Sequence, residues 1–186
     1  DFQAARWTVS REVPPQEGNH HPTLAPMGAF RAKDGFVNVA PTAPMWKAFC
    51  AALGKPEMHA NPEYKTNALR LKSYKKLWAE IEAVLKTNTT AHWKAVMDKA
   101  GVPCGPINTI DRVFNDPQVK HVGMAAPVDS PLFGKTHYVA NPLNMTGSTR
   151  DIRLCAPEPG QHNDEVLEWL GLSKAEIAKL RDNKVI

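Results

Sequence analysis

Three rhythms of apolar and polar positions run along the chain, and each predicts a different element. Phe2, Ala4, Ala5 and Trp7 read as the last turns of an apolar helix. The stretch Val13-Pro14-Pro15-Gln16-Glu17-Gly18-Asn19-His20-His21-Pro22 cannot prolong it, because prolines remove backbone donors and restrict the residues before them. Lys33-Asp34-Gly35 then predicts a hairpin turn between Gly28–Arg31 and Phe36–Val39, the latter alternating in strand fashion. Farther on the period lengthens. Met45, Trp46, Phe49, Cys50 and Leu53 recur at three and four, and Gly54 stops them. Tyr74, Leu77, Trp78, Ile81, Val84 and Leu85 form one helical stripe with Ser73 as its expected cap. Trp93, Val96, Met97 and Ala100 form another, which starts at Thr90 and ends at Gly101 and Pro103. Two such helices joined by a short polar link are expected to pack antiparallel over one face of a small sheet.

Beyond Gly101 the helical period gives way to short extended pieces. Pro106-Ile107-Asn108, Ala126-Pro127-Val128 and Thr136-His137-Tyr138-Val139 read as strands, and Asp116-Pro117 opens a short helix. Residues 140–162 carry no period and form a second long connection. Asn163 is expected to cap a helix to Leu170 that Gly171 closes, and Ser173-Lys174-Ala175-Glu176 is a capping box for the last helix. The fold class is therefore α+β, a small mixed domain with a short antiparallel sheet and packed helices. Long linkers and C-terminal helices flank it. The expected divisions are 1–26, 27–140 and 141–186.

Composition narrows the function classes. With 186 residues, 42% hydrophobic and 23% charged, the chain is an ordinary soluble globular sequence, and its apolar runs are too short to span a membrane. Cys50, Cys104 and Cys155 are an odd, widely spaced set, which suits reduced thiols in the cytoplasm. No export signal opens the chain. Its start at Asp1, within an apolar helical rhythm, leads us to expect a fragment.

The net charge of +4 is uneven: residues 31–100 hold twelve Lys/Arg against six acids, leaving −2 for the rest. Arg70, Lys72, Lys75 and Lys76 could meet a phosphate, but cations at a helix amino end oppose its dipole. They are read as a solvated face. No nucleic-acid platform or motif accompanies them.

Candidate chemistry is concentrated in one loop. His20-His21 is the sole histidine pair, and it either lines a substrate channel or stands in solvent; a metal would need a third ligand that the spacing does not offer. His59, His92, His121, His137 and His162 are isolated and are read as surface or cap residues. Neither a nucleophile elbow nor a glycine-rich phosphate cradle is present, and Cys104 reads as a small buried residue in a turn.

The order of several weak motifs is more specific than any one of them. Gly18-Asn19-His20-His21-Pro22, Pro26-Met27-Gly28-Ala29-Phe30, Lys33-Asp34-Gly35, Leu53-Gly54-Lys55-Pro56, Asn61-Pro62-Glu63-Tyr64, Arg70, Gly101-Val102-Pro103-Cys104-Gly105-Pro106, Asp116-Pro117-Gln118 and Pro159-Gly160-Gln161-His162-Asn163 follow one another. This string resembles the carboxy-terminal half of the class III (CaiB/BaiF-type) CoA-transferases.

That resemblance implies a small domain joined by two linkers to a larger α/β body, to which the terminal helices return, in an interlocked homodimer. It implies transfer of CoA from an acyl-CoA to a carboxylic acid through an aspartyl anhydride and thioester. CoA is then a substrate, and no cofactor is permanently bound. The nucleophilic aspartate is expected upstream and is not carried onto Asp1, so no catalytic or metal residue is assigned within the chain. The substrate-binding residues implied are Gly18, Asn19, His20, His21 and Pro26. His21-Pro22-Thr23-Leu24 stands where the formyl-CoA transferase branch has lid glycines, and Ala43 stands where the racemase branch has an acid. Two alternatives accompany this reading, an acyl-CoA racemase of the same fold and a non-catalytic assembly domain.

Overall fold

A computed structural model describes residues 2–186, without the side chain of Phe2; Asp1 lies outside the described residues. The chain forms two compact units, one ending at Asn108 and one beginning at Thr109.

In the first unit, α1 (Phe2–Ser10) precedes the proline-rich loop. Strands β1 (Gly28–Ala32) and β2 (Gly35–Val39) follow, paired antiparallel across Lys33-Asp34. Then come α2 (Trp46–Ala52), α3 (Glu57–Ala60), α4 (Asn67–Lys72), α5 (Tyr74–Leu85) and α6 (Thr90–Lys99). Strand β3 (Cys104–Pro106) closes the unit against β2, giving the sheet order β1-β2-β3.

The period of two in the strands and of three to four in the helices converges on one core. Phe30, Val37 and Val39 leave the sheet on the same side and meet Phe49 and Cys50 of α2, Leu77, Ile81 and Leu85 of α5, and Trp93 and Met97 of α6. Helix α5 lies against β1, and α6 against β2 and β3. The rings of Phe30 and Trp78 stack with centroids 3.6 Å apart, and the Trp93 indole N–H donates to the Leu85 carbonyl at 2.7 Å. The turn is tied to the helices as well, since the Asp34 carboxylate accepts from the Thr90 amide at 2.7 Å.

Several expectations shift by a residue or a role. Ser73 precedes α5 but makes no capping bond, because its backbone is not extended and it also ends α4. The strand expected at residues 106–108 is Cys104–Pro106, where Cys104 pairs with Val39, so Cys104 is a half-buried strand residue rather than a buried turn residue. Helix α4 reverses the reading of Arg70, which is only 3% exposed and belongs to no solvated face.

In the second unit, α7 (Ile110–Asn115) and α8 (Pro117–His121) precede a ribbon of β4 (Ala125–Ser130) and β5 (Gly134–Val139). Asp116 caps α8 by accepting from the amides of Gln118 and Val119, as its sequence position implies. Helix α7 has no counterpart in the sequence expectations. Residues 140–162 are irregular but anchored: Arg150 donates to the carbonyls of Asn141 (2.8 Å) and Val122 (3.1 Å), and the Tyr138 hydroxyl accepts from Ala156 at 3.2 Å. Helices α9 (Asn163–Trp169) and α10 (Lys174–Asp182) end the chain. His162, rather than Asn163, occupies the position before α9, while the Ser173–Glu176 capping box is complete. No helix among the described residues is long and apolar enough to cross a membrane.

The buried thiol sets an alkaline limit on this fold. Burial pushes Cys50 from its ordinary 9.0 up to about 12, against the weaker opposing pull of Arg70. Because the folded state holds this proton more tightly than the unfolded chain, stability is intact below pH 9 and falls as pH rises from 9 toward 12. Burial also raises the phenols of Tyr64 and Tyr74, reinforcing the trend. Iodoacetamide should therefore leave Cys50 unmodified in the native chain at pH 8 while alkylating Cys155, as peptide mass spectrometry would show. Rapid native labelling of Cys50 would contradict its burial.

Candidate functional site

The candidate loop lies across the edge of the sheet next to β1. Gly18 turns with φ +64, and His20 then forms an isolated bridge to Gly28. The loop closes on itself through two backbone bonds, His21 N–H to the Met27 carbonyl at 2.8 Å and Ala29 N–H to the Asn19 carbonyl at 3.1 Å. The Ala25-Pro26 peptide is cis. Pro26 itself is fully buried.

Helix α5 supplies the surface against which this loop rests. The ring of His20 lies 4.2 Å from that of Tyr74 and 6.2 Å from that of Trp78, measured between centroids. Its Nε2 is 2.8 Å from Oε2 of Glu17. Asn19, His20, Tyr74, Lys75 and Trp78 thus surround an open cavity of about 270 Å3. An aromatic floor with an amide and an ammonium at its rim can take the acyl or carboxylate part of a small molecule.

The predicted site residues separate at this level. Asn19 and His20 line the cavity; Gly18, His21 and Pro26 are not among its lining residues. His21 is held locally, its Nδ1 accepting from the Thr23 amide at 3.2 Å. Lys75, read as part of a solvated face, stands at the rim. Tyr74 and Trp78, read as helix stripe residues, form the floor. Their period is that of any amphipathic helix, so no sequence signal separated them from the core stripe.

The hydroxyl of Tyr74 is buried without a hydrogen-bond partner in the structure. Burial, followed by the charge of Glu17, pushes this phenol up, so it stays protonated throughout the neutral range. A buried unpaired hydroxyl is a net cost. Tyr74→Phe should therefore leave the unfolding free energy unchanged or raise it by about 1 kcal/mol in a denaturant titration. A loss of more than about 1 kcal/mol would show that the hydroxyl has a partner.

The comparisons with known proteins agree with one another. CoA-transferase family III matches residues 1–163. Formyl-CoA:oxalate CoA-transferase of Rhodopseudomonas palustris (strain BisB18) is 32% identical over 142 residues, 76% of this chain and 33% of that protein. Succinyl-CoA:glutarate CoA-transferase of Homo sapiens is 30% identical over 166 residues, 89% of this chain and 38% of that protein. The crystal structure of a CAIB/BAIF family protein from Brucella suis superposes with a TM-score of 0.73 at 28% identity, covering 91% of this chain and 44% of that one. The chain thus spans 33% to 38% of the length of these two curated relatives.

Proposed function

The chain belongs to CoA-transferase family III, and we propose that its Gly18–Pro26 loop forms one wall of the acyl-CoA site of a longer CoA-transferase. The nucleophilic aspartate of that enzyme stands on polypeptide outside these 186 residues. One observation carries this reading: Asn19 and His20, placed in the substrate loop by the order of motifs, meet Tyr74, Lys75 and Trp78 around a single cavity.

The reaction proceeds by exchange of acyl partners. The aspartate carboxylate attacks the thioester carbonyl and expels CoA thiolate, which leaves an acyl anhydride. The thiolate then attacks the aspartyl carbonyl of that anhydride, releasing the first acid and forming an aspartyl-CoA thioester. An acceptor carboxylate reverses both steps and leaves as its own CoA thioester. The loop and its aromatic floor exclude water from the anhydride, and Lys75 with Asn19 offers donors to an acid's carboxylate at the rim.

Domain and assembly belong to the same proposal. The small domain of 27–140, flanked by segments 1–26 and 141–186, pairs with a larger α/β body in an interlocked cytoplasmic homodimer. The exposed apolar residues Val166 and Trp169 of α9, with Leu170 at its C-terminal cap, support a returning helix that docks elsewhere, Trp169 being 83% exposed. Ala43, in the short helical turn Ala43–Met45, offers no acid for α-proton exchange, which disfavours the racemase alternative.

The test uses the longer protein. Incubation with an acyl-CoA and hydroxylamine should convert one aspartate outside this chain to a hydroxamate and abolish activity. An enzyme that stays unmodified and fully active would overturn the covalent mechanism.

A further inference from the structure

Helix α4 carries two side chains that act on the backbone of the loop across more than forty residues of sequence. The Asn67 amide pairs with the loop as a neighbouring strand would: its Nδ2 donates to the Thr23 carbonyl at 2.7 Å, and its Oδ1 accepts from the Ala25 amide at 3.0 Å. One turn later, Arg70 donates through Nε to the Ala25 carbonyl at 2.6 Å and through Nη1 to the Tyr64 carbonyl at 3.0 Å. Its guanidinium lies 4.9 Å from the centre of the Trp46 ring. Burial lowers the affinity of Arg70 for its proton, although guanidinium remains charged at every accessible pH. A buried cation bonded to carbonyls and an aromatic face is held in one orientation, since any other leaves its donors unpaired.

We propose that Asn67 and Arg70 are positioning residues that fix the Gly18–Pro26 loop as a rigid wall of the cavity, through the backbone of Thr23 and Ala25. Both residues act beneath the loop and neither lines the cavity. Their effect reaches Asn19 and His20 because the segment they clamp is the one closed by His21 N–H to Met27 and Ala29 N–H to Asn19. The functional weight of this clamp rests on the loop being the substrate wall proposed above.

Amide hydrogen exchange of the longer protein, read on the amides of this chain, tests it, with wild type compared with Asn67→Ala, Arg70→Gln and Arg70→Lys. The diagnostic amides are His21 and Ala29, whose own acceptors are untouched by any of these substitutions. Both should exchange about tenfold or more faster in Asn67→Ala and Arg70→Gln, while amides of β2 and α5 stay within about twofold of wild type. Arg70→Lys, which keeps a cation with N–H donors but loses the planar fork that reaches both carbonyls, should recover part of the protection. The clamp is refuted if His21 and Ala29 already exchange freely in wild type and gain nothing in Asn67→Ala, as in a moving lid. It is equally refuted if the whole unit accelerates together in Asn67→Ala, as for a purely structural contact. Arg70→Gln is the harsher variant, and Asn67→Ala at the half-buried helix start decides the matter where the former unfolds. Because no substrate enters this readout, its failure concerns the clamp alone, whereas failure of the hydroxylamine trap concerns the substrate reading.

Discussion

Gly28→Ala should cost about 3 kcal/mol or more of unfolding free energy and dislodge the candidate loop. A Cβ at this position would stand 2.5 Å from the Asn19 carbonyl oxygen, 2.9 Å from Cα of His20 and 3.0 Å from Cη2 of Trp78. Two of these atoms are backbone, so no rotamer change relieves the contact. The backbone itself also resists a side chain, since φ is +154. The first casualty is the Ala29 N–H to Asn19 bond, and with it the placement of both loop residues that line the cavity. Denaturant titration of the variant measures the stability loss, and hydrogen exchange at Ala29 locates it. A variant within about 1 kcal/mol of wild type, with Ala29 still protected, would show that loop and strand do not approach this closely.

Phe30→Ala should cost about 4 kcal/mol, a large fraction of the stability of an ordinary domain. Phe30 is fully buried on β1, and its ring stacks on Trp78 at 3.6 Å. Truncation leaves a cavity that the sheet and α5 cannot fill without moving, because the surrounding Val37, Leu77 and Ile81 are themselves fully buried. The substitution also removes the support under Trp78, one of the two rings in the floor of the candidate site. Phe30→Leu should recover roughly half of the loss, since much of the apolar volume returns. Equal losses in the two variants would mean that the ring's shape rather than its volume matters, and a loss under about 1 kcal/mol in Phe30→Ala would contradict its place in the core.

Which parts were legible follows from how local each signal is. The β1–β2 hairpin was readable because Lys33-Asp34-Gly35 acts within a few residues, and α2, α5 and α6 because their apolar stripes repeat at three and four. The Ser173–Glu176 capping box was readable for the same reason. Helix α7 was not, since Ile110-Asp111-Arg112-Val113-Phe114-Asn115 is too short for its period to declare itself and no residue of it is buried. Strand β3 was misplaced by two residues because its register depends on Val39, far away in sequence.

Arg70 shows the limit most sharply. Its neighbours Lys72, Lys75 and Lys76 made a basic run that reads as solvated, and the carbonyls that draw it inward belong to Ala25 and Tyr64. Nothing in the spacing of cations reports where the carbonyl of Ala25, 45 residues away, will fall. The same holds for the cavity: Asn19 and His20 came from the order of motifs, whereas Tyr74, Lys75 and Trp78 entered only when α5 was laid beside β1.

By itself the sequence determined the hairpin, the long helices, the α+β class and the family, because turn chemistry, helical period and ordered motifs are all written within short stretches of chain. The tertiary structure alone decided which side chains share a cavity, which cation is buried, and which thiol and phenols lose contact with water. Those outcomes depend on desolvation and on hydrogen bonds between residues more than forty positions apart, as Asn67 to Thr23 and Arg70 to Ala25 demonstrate.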